Sequence, residues 1–149
     1  LIRRHHPGAR FFIVGNSPSP AVSALAAQDG VVVTGRVPDV RPYLYHATAA
    51  VAPMRIARGI QNKVLEAMAM GRPTIVTSGA LEGIDAAPGQ DVILADDTES
   101  FADACASLDA ATAARIGAAA RARIVTDYNW TARLSRFDDV LRPVLEPTA

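Results

Sequence analysis

Short apolar runs, each stopped by glycine or proline, divide the first two thirds of the chain. Phe11-Phe12-Ile13-Val14 runs into Gly15-Asn16-Ser17-Pro18, and Val31-Val32-Val33-Thr34 stops at Gly35. Ala49 to Pro53, Thr74-Ile75-Val76-Thr77 and Asp91 to Ala95 repeat the pattern. Each is four or five residues of mostly β-branched or small apolar side chains, which predicts five strands. Between them lie stretches with helical character: Ser19 to Gln28, Pro38 to about His46 with Asp39 as N-cap, and Gly59 to Met70 closed by Gly71 and Pro73. The pattern then becomes wholly helical over Thr98–Leu108, Ala110–Tyr128 and Trp130 to about Leu145.

The strands are continuous apolar runs and do not alternate with polar residues. Burial of both faces is therefore expected, as in a parallel sheet covered by helices. Strand and helix alternating at this spacing give an α/β fold with a doubly wound parallel sheet, right-handed crossovers and a helical C-terminus. The opening residues, Leu1 to His6, read as the end of a helix terminated by Pro7-Gly8. A strand normally precedes such a helix, so residues 1–149 are expected to form one domain that is a fragment lacking its first strand. The apolar surface left open should promote self-association.

Composition narrows the function. Lys+Arg and Asp+Glu are balanced at 15 each, with no basic run, which argues against nucleic acid as a partner. No apolar stretch reaches the roughly 18 residues of a membrane span, and the first residues lack the apolar core of a signal peptide. The single cysteine, Cys105, precludes an internal disulfide and fits a reducing cytoplasm. It reads as a small core residue. His5, His6 and His46 lack metal-ligand spacing, so neither metal nor cofactor is expected. Of the 15 basic residues, 14 are arginine; Lys63 is the only lysine. A lysine alone in an arginine-biased chain suits a compact point charge beside a phosphate.

Ligands of open α/β sheets bind at the carboxyl ends of the strands. The segments there are Gly15-Asn16-Ser17, Gly35-Arg36-Val37-Pro38-Asp39, Pro53 to Lys63, and Thr77 to Gly83. The third is the densest, with Arg55, Arg58 and Lys63 around the start of a helix whose free N–H groups and dipole favour an anion. Lys63 and Glu66 are three residues apart and share a helix face. They pair as a surface ion pair, or act separately, Lys63 on phosphate and Glu66 on sugar hydroxyls. Val64, Leu65 and Met68 are expected to form the core face, leaving Glu66 semi-buried near the sheet. No G-x-G-x-x-G, Walker A or G-x-S-x-G pattern occurs, which disfavours dinucleotide, P-loop and hydrolase sites.

The segment Arg58-Gly59-Ile60-Gln61-Asn62-Lys63-Val64-Leu65-Glu66-Ala67-Met68-Ala69-Met70-Gly71-Arg72-Pro73, a following strand, and Thr77, Ala80 and Gly83 in a Thr-x-x-Ala-x-x-Gly stretch resemble the C-terminal donor-binding domain of group 1 (family 4, retaining, GT-B fold) glycosyltransferases. The string Arg-Gly-Ile-Gln-Asn-Lys is most similar to a bacterial exopolysaccharide-associated subgroup. The resemblance covers essentially the whole chain, with Arg121 and Tyr128-Asn129-Trp130 in the closing helices.

It implies a Rossmann-like half of a GT-B fold that binds a nucleoside-diphosphate sugar. Glu66 matches the second glutamate of the family's E-x7-E motif, which holds the donor ribose; the first falls at Arg58. The variant it fits places Lys63 on the phosphates, making Lys63 and Glu66 the candidate catalytic pair. Gly59, Ile60, Gln61 and Asn62 would contact diphosphate and sugar, Arg58 would stand at the rim, and Gly15, Gly35, Arg36 and Val37 would border the rest of the donor. The helix N-terminus and Lys63 would stabilise the departing diphosphate. The acceptor, any general base and any contact with the inner face of the membrane would belong to an N-terminal acceptor domain. Two other readings compete: a sugar-nucleotide epimerase of GT-B architecture, which needs acid and base groups in the cleft, and a non-catalytic α/β interaction domain, which needs an acidic cluster such as Asp96-Asp97 after a strand.

Overall fold

The computed structural model describes residues 1–132, 134, 135 and 141. Five strands and seven α-helices alternate along it: α1 (Ile2–His5), β1 (Phe11–Val14), α2 (Pro20–Ala24), β2 (Val31–Gly35), α3 (Arg41–His46), β3 (Ala50–Ala52), α4 (Asn62–Ala69), β4 (Thr74–Val76), α5 (Ser78–Leu81), β5 (Ile93–Leu94), α6 (Thr98–Ala106) and α7 (Ala110–Asp127). Every strand pairing is parallel, in the α/β arrangement expected from the continuous apolar runs.

The pairing is divided. β1 pairs with β2, and β3–β4–β5 form a separate three-stranded sheet. Burial follows this division. β4 is fully buried, as a strand covered on both faces should be. Phe11 and Phe12 of β1 are 43% and 41% exposed. Burial of both faces was expected for all five strands; β1 and β2 reach it only in part. The core gathers on the three-stranded side, where Ala52, Val64, Met68, Val76, Val92 and Ala120 pack together.

α7 lies against α4. The close approach depends on Gly71, at φ +66°, and on the small residues of α7. Gly71 ends α4 with its N–H on the Met68 carbonyl, followed by Arg72 N–H on Ala67, and Arg121 of α7 donates to the Ala69 carbonyl. A second tie is buried: Asp91 accepts from Ala87 N–H and from Arg123 Nε at 2.8 Å, and Arg123 also bridges to Asp127.

Several boundaries differ from the sequence pattern. α4 begins at Asn62, three residues later than Gly59, because Gly59 is left-handed at φ +72° and Gln61 is extended. The N-cap position of α3 is Val40; Asp39 sits one residue earlier, where its carboxylate still accepts the Arg41 N–H at 2.9 Å. α2 gives way to a 3-10 turn over Leu25–Ala27. α5 is too short for the periodicity to reveal. The helix expected from Trp130 to Leu145 falls partly outside the described residues; residues 130–132, 134, 135 and 141 are helical.

Candidate functional site at the carboxyl ends of β3 and β4

The loop leaving β3 crosses from Pro53 to Gln61 before α4 begins. It is fastened at two places. The Thr77 hydroxyl, at the end of β4, donates to the Met54 carbonyl at 2.6 Å and accepts the Ala80 N–H at 3.2 Å, capping α5. A β-carbon on Gly79 would stand 2.9 Å from the same Met54 carbonyl, so only glycine admits the loop this closely. Further along, Ile60 rests on Gly83, whose φ is +76° and whose β-carbon would meet Ile60 Cγ1 at 3.4 Å. Thr77, Ala80 and Gly83 thus each serve the local structure, Thr77 as cap and loop anchor, Ala80 as a fully buried small residue and Gly83 as a left-handed turn. Between the anchors, Arg55, Ile56, Arg58 and Gly59 are exposed, Ile56 to 81%.

Gln61 occupies the N-cap of α4 without capping it: its amide donates to the Gly59 carbonyl at 2.9 Å, so no side chain covers the first-turn N–H groups. Such an end is electropositive and suited to an anion. Asn62 and Lys63 are exposed beside it. Lys63 Nζ reaches back over the loop to 3.1 Å from Met54 Sδ.

Glu66 corrects the sequence reading. It is exposed, where a semi-buried place near the sheet was expected. The buried face of α4 is Val64, Ala67 and Met68, with Leu65 only partly covered. At 3.6 residues per turn, Glu66 then falls on the side away from that face. Lys63 and Glu66 form no ion pair with each other. Among the described residues both charges are open to a ligand and neither is spent on the other.

The remaining candidates lie on the β1–β2 unit. Gly15 and Arg36 are exposed, Val37 is half-buried, and Gly35 is left-handed at φ +66° with open space where a β-carbon would be. Among the described residues no hydrogen bond or ion pair joins this group to Arg58–Glu66. A cleft of about 350 Å³ does open at the carboxyl ends of β3, β4 and β5, lined by Arg55, Thr77, Asp96, Phe101 and the first two residues of the chain. A larger one, about 470 Å³, sits at the opposite edge, around Arg3, Arg10, Asp29 and Gly30. Neither is lined by Lys63 or Glu66.

Thr77 and Gly79 fall in the Thr77 to Gly83 segment and Asp96 in the Asp96-Asp97 pair, but the structural ties they make were not foreseen from the sequence. Thr-Ser-Gly directly after a strand was the available signal, since it is an N-cap followed by a residue permitting close approach. Asp96 accepts the Ser78 N–H at 2.7 Å, and Asp97 caps α6 reciprocally with Ser100. Both acids therefore hold helix starts. Cys105 is half-buried in α6, and burial pushes its thiol up. The described residues hold no group of three or more His, Cys, Asp or Glu placed to bind a metal, and no helix long and apolar enough to cross a membrane.

Comparison with solved structures finds the same fold in known proteins. Staphylococcus aureus TarM, in a complex with fondaparinux, alpha-GlcNAc-glycerol and UDP, superposes with a TM-score of 0.77 at 18% identity, covering 91% of this chain and 29% of that one. A glycosyltransferase from Rickettsia africae matches at TM-score 0.75 and 19% identity, over 99% of this chain and 43% of its own. Sucrose-phosphate synthase from Thermosynechococcus elongatus matches at 0.74 and 22%, over 92% and 39%. At these identities the likeness is one of fold, and the chain spans less than half of each of these proteins. Comparison with curated protein sequences finds no match. The sequence profile described as glycosyl transferases group 1 matches residues 1–110, and with the parallel α/β fold of the structural neighbours it establishes that this chain belongs to the group 1 glycosyltransferase family.

Proposed function

We propose that this domain is the donor-binding half of a retaining glycosyltransferase that takes its sugar from a nucleoside diphosphate. The observation that carries the reading is the start of α4: an uncapped helix N-terminus with Lys63 beside it and the unpaired Glu66 carboxylate one turn on. Family membership makes a nucleotide-sugar the expected ligand, and the UDP held by TarM is consistent with it.

In this reading the diphosphate sits on the first-turn N–H groups of α4, near Gly59 to Asn62, with Lys63 as a point charge. Glu66 accepts hydrogen bonds from the ribose hydroxyls. Arg58, at the rim of the loop, lies near the donor sugar or its phosphates, while Gly15, Gly35, Arg36 and Val37 border the nucleoside. Breaking the glycosidic bond leaves charge on the diphosphate, and fixed dipoles and cations aimed there lower the barrier. The acceptor and any general base come from a separate N-terminal domain, so these residues alone bind donor without turnover. The Arg-Gly-Ile-Gln-Asn-Lys string favours a role in exopolysaccharide synthesis, on the cytoplasmic side where nucleotide-sugars are made.

The test is calorimetric. Lys63→Ala should weaken UDP or GDP binding more than it weakens binding of the corresponding nucleoside, and Lys63→Arg should restore only part, because a planar fork replaces a compact charge. Equal loss for nucleotide and nucleoside, or no loss, would overturn the assignment.

A further inference from the structure

We propose that the sugar carried by the donor is acidic, a uronic acid whose carboxylate is held by Arg55 and Arg58. The inference rests on the donor reading above and names the substrate class for that same site.

Among the described residues most arginines are tied down. Arg3, Arg41 and Arg123 stand in ion pairs. Arg72, Arg115 and Arg121 donate to main-chain carbonyls. Arg55 and Arg58 do neither among the described residues, and both are exposed. Asp96 lines the same cleft as Arg55, but its carboxylate accepts the Ser78 N–H at 2.7 Å and pairs with no arginine among the described residues. Asp97, in the same cleft, caps α6.

The two guanidinium groups are confined to one short strap. Its ends are held at Met54 by the Thr77 hydroxyl and at Ile60 by Gly83. Three residues span at most about 10–11 Å even when fully extended, so two long side chains on this strap can reach a common point. Lys63 Nζ, 3.1 Å from Met54 Sδ, sets the phosphate-side cation against the same strap.

The order of groups along the site follows the order of groups in the donor. Glu66 stands about 6 Å along the α4 axis from Asn62, four residues at roughly 1.5 Å each. In a nucleoside-diphosphate sugar the diphosphate lies between ribose and sugar. With the ribose at Glu66 and the diphosphate on the first turn of α4, the sugar falls beyond the helix start, on the strap from Arg55 to Gly59. The side chains there are Arg55, Ile56, Ala57 and Arg58, followed by Gly59, and they offer donors only. Sugar hydroxyls both donate and accept, so a neutral sugar calls for acceptors as well. A carboxylate calls for donors alone, and its two oxygens match the planar fork of a guanidinium. Lys63 and the helix end already face the diphosphate, which leaves both guanidinium groups for a further anion.

Isothermal titration of the whole protein with matched donors tests this. The pairs are UDP-glucuronate with UDP-glucose, UDP-galacturonate with UDP-galactose, and GDP-mannuronate with GDP-mannose, each read beside UDP or GDP alone. In at least one pair the uronate should bind about tenfold or more tighter than its neutral counterpart. Arg55→Gln and Arg58→Gln should each lower that ratio, and together bring it to about one. If UDP or GDP binds and no uronate is preferred, the acidic sugar is overturned and the donor reading stands. A ratio unchanged in the variants, or an equal loss for UDP alone and for UDP-glucuronate, makes the arginines bystanders or a phosphate clamp and overturns the proposal too. No binding of UDP or GDP overturns the donor reading and the proposal together.

Discussion

A β-carbon placed on Gly117 would lie 2.1 Å from the carbonyl oxygen of Gly71. Gly117 is in the middle of α7, and Gly71 is the left-handed residue that ends α4. The two helices meet glycine to glycine, and the helix bearing Lys63 and Glu66 is set in place by that contact and by Arg121 at its C-terminal end.

Gly117→Ala should therefore be destabilising, although alanine is the better helix former. An overpacked site costs about 1–3 kcal/mol, more than the roughly 1 kcal/mol that helix propensity returns. Urea unfolding should give a lower midpoint with an unchanged slope. A midpoint at or above the parent's would mean that α7 can shift away from α4 freely.

Thr77→Val keeps the shape and removes the hydroxyl that joins β4, α5 and the Met54 carbonyl. A lost cap and hydrogen bond together cost about 1–2 kcal/mol. Thr77→Ser should retain most of the stability. If valine and serine behave alike in thermal unfolding, the hydroxyl does not anchor the loop.

Glu66→Ala separates binding from folding. Glu66 is exposed and unpaired, so stability should stay within about 0.5 kcal/mol of the parent. Nucleotide affinity should fall by about 1.5–3 kcal/mol, the range for hydrogen bonds to a charged group. Isothermal titration of UDP or GDP reads the second effect, and unchanged affinity would remove Glu66 from the ribose site.

Acid should act on the C-terminal helices. Asp97 and Asp109 cap α6 and α7, and the N–H and hydroxyl groups of Ser100 and Thr112 hold their carboxyls below the ordinary aspartate value. A group whose pKa is lower folded than unfolded stabilises above its unfolded value, and that contribution disappears as pH falls through the folded value. Helical circular dichroism should thus be insensitive to these caps at neutral pH and decline below about pH 4, the unperturbed aspartate range. Asp97→Asn together with Asp109→Asn should flatten this part of the profile.

The fold class was legible because burial demands continuous apolar strands, and Thr74–Val76 carries that demand plainly, while Val31–Val33 has the same pattern and is only half-buried. The family was legible from residues 58 to 73, where charged, amide and glycine residues lead into an apolar helix face. What the pattern hid was local geometry. Gly59 is compatible with a helix start by composition, and only its positive φ shows that the helix waits until Asn62. Glu66 was misplaced although the pattern itself already turned it outward: at about 100° per residue it lies opposite a face of Val64, Leu65 and Met68, as it does opposite the observed face of Val64, Ala67 and Met68. The tie between Thr77, Gly79 and Met54 joins residues more than twenty positions apart, and no periodicity encodes a contact of that kind.

The fastening of the β3–α4 loop at Met54 and at Ile60 also bears on speed. Only Arg55 to Gly59 is left to rearrange when a ligand arrives, a strap about the size of an ordinary surface loop. Restricting a residue's backbone removes about 1–2 kcal/mol of conformational freedom, so limiting the change to this stretch limits what association must overcome. Short loops move in nanoseconds to microseconds, whereas domains close in microseconds to milliseconds. Rearrangement of this loop on meeting a ligand is accordingly a fast local event.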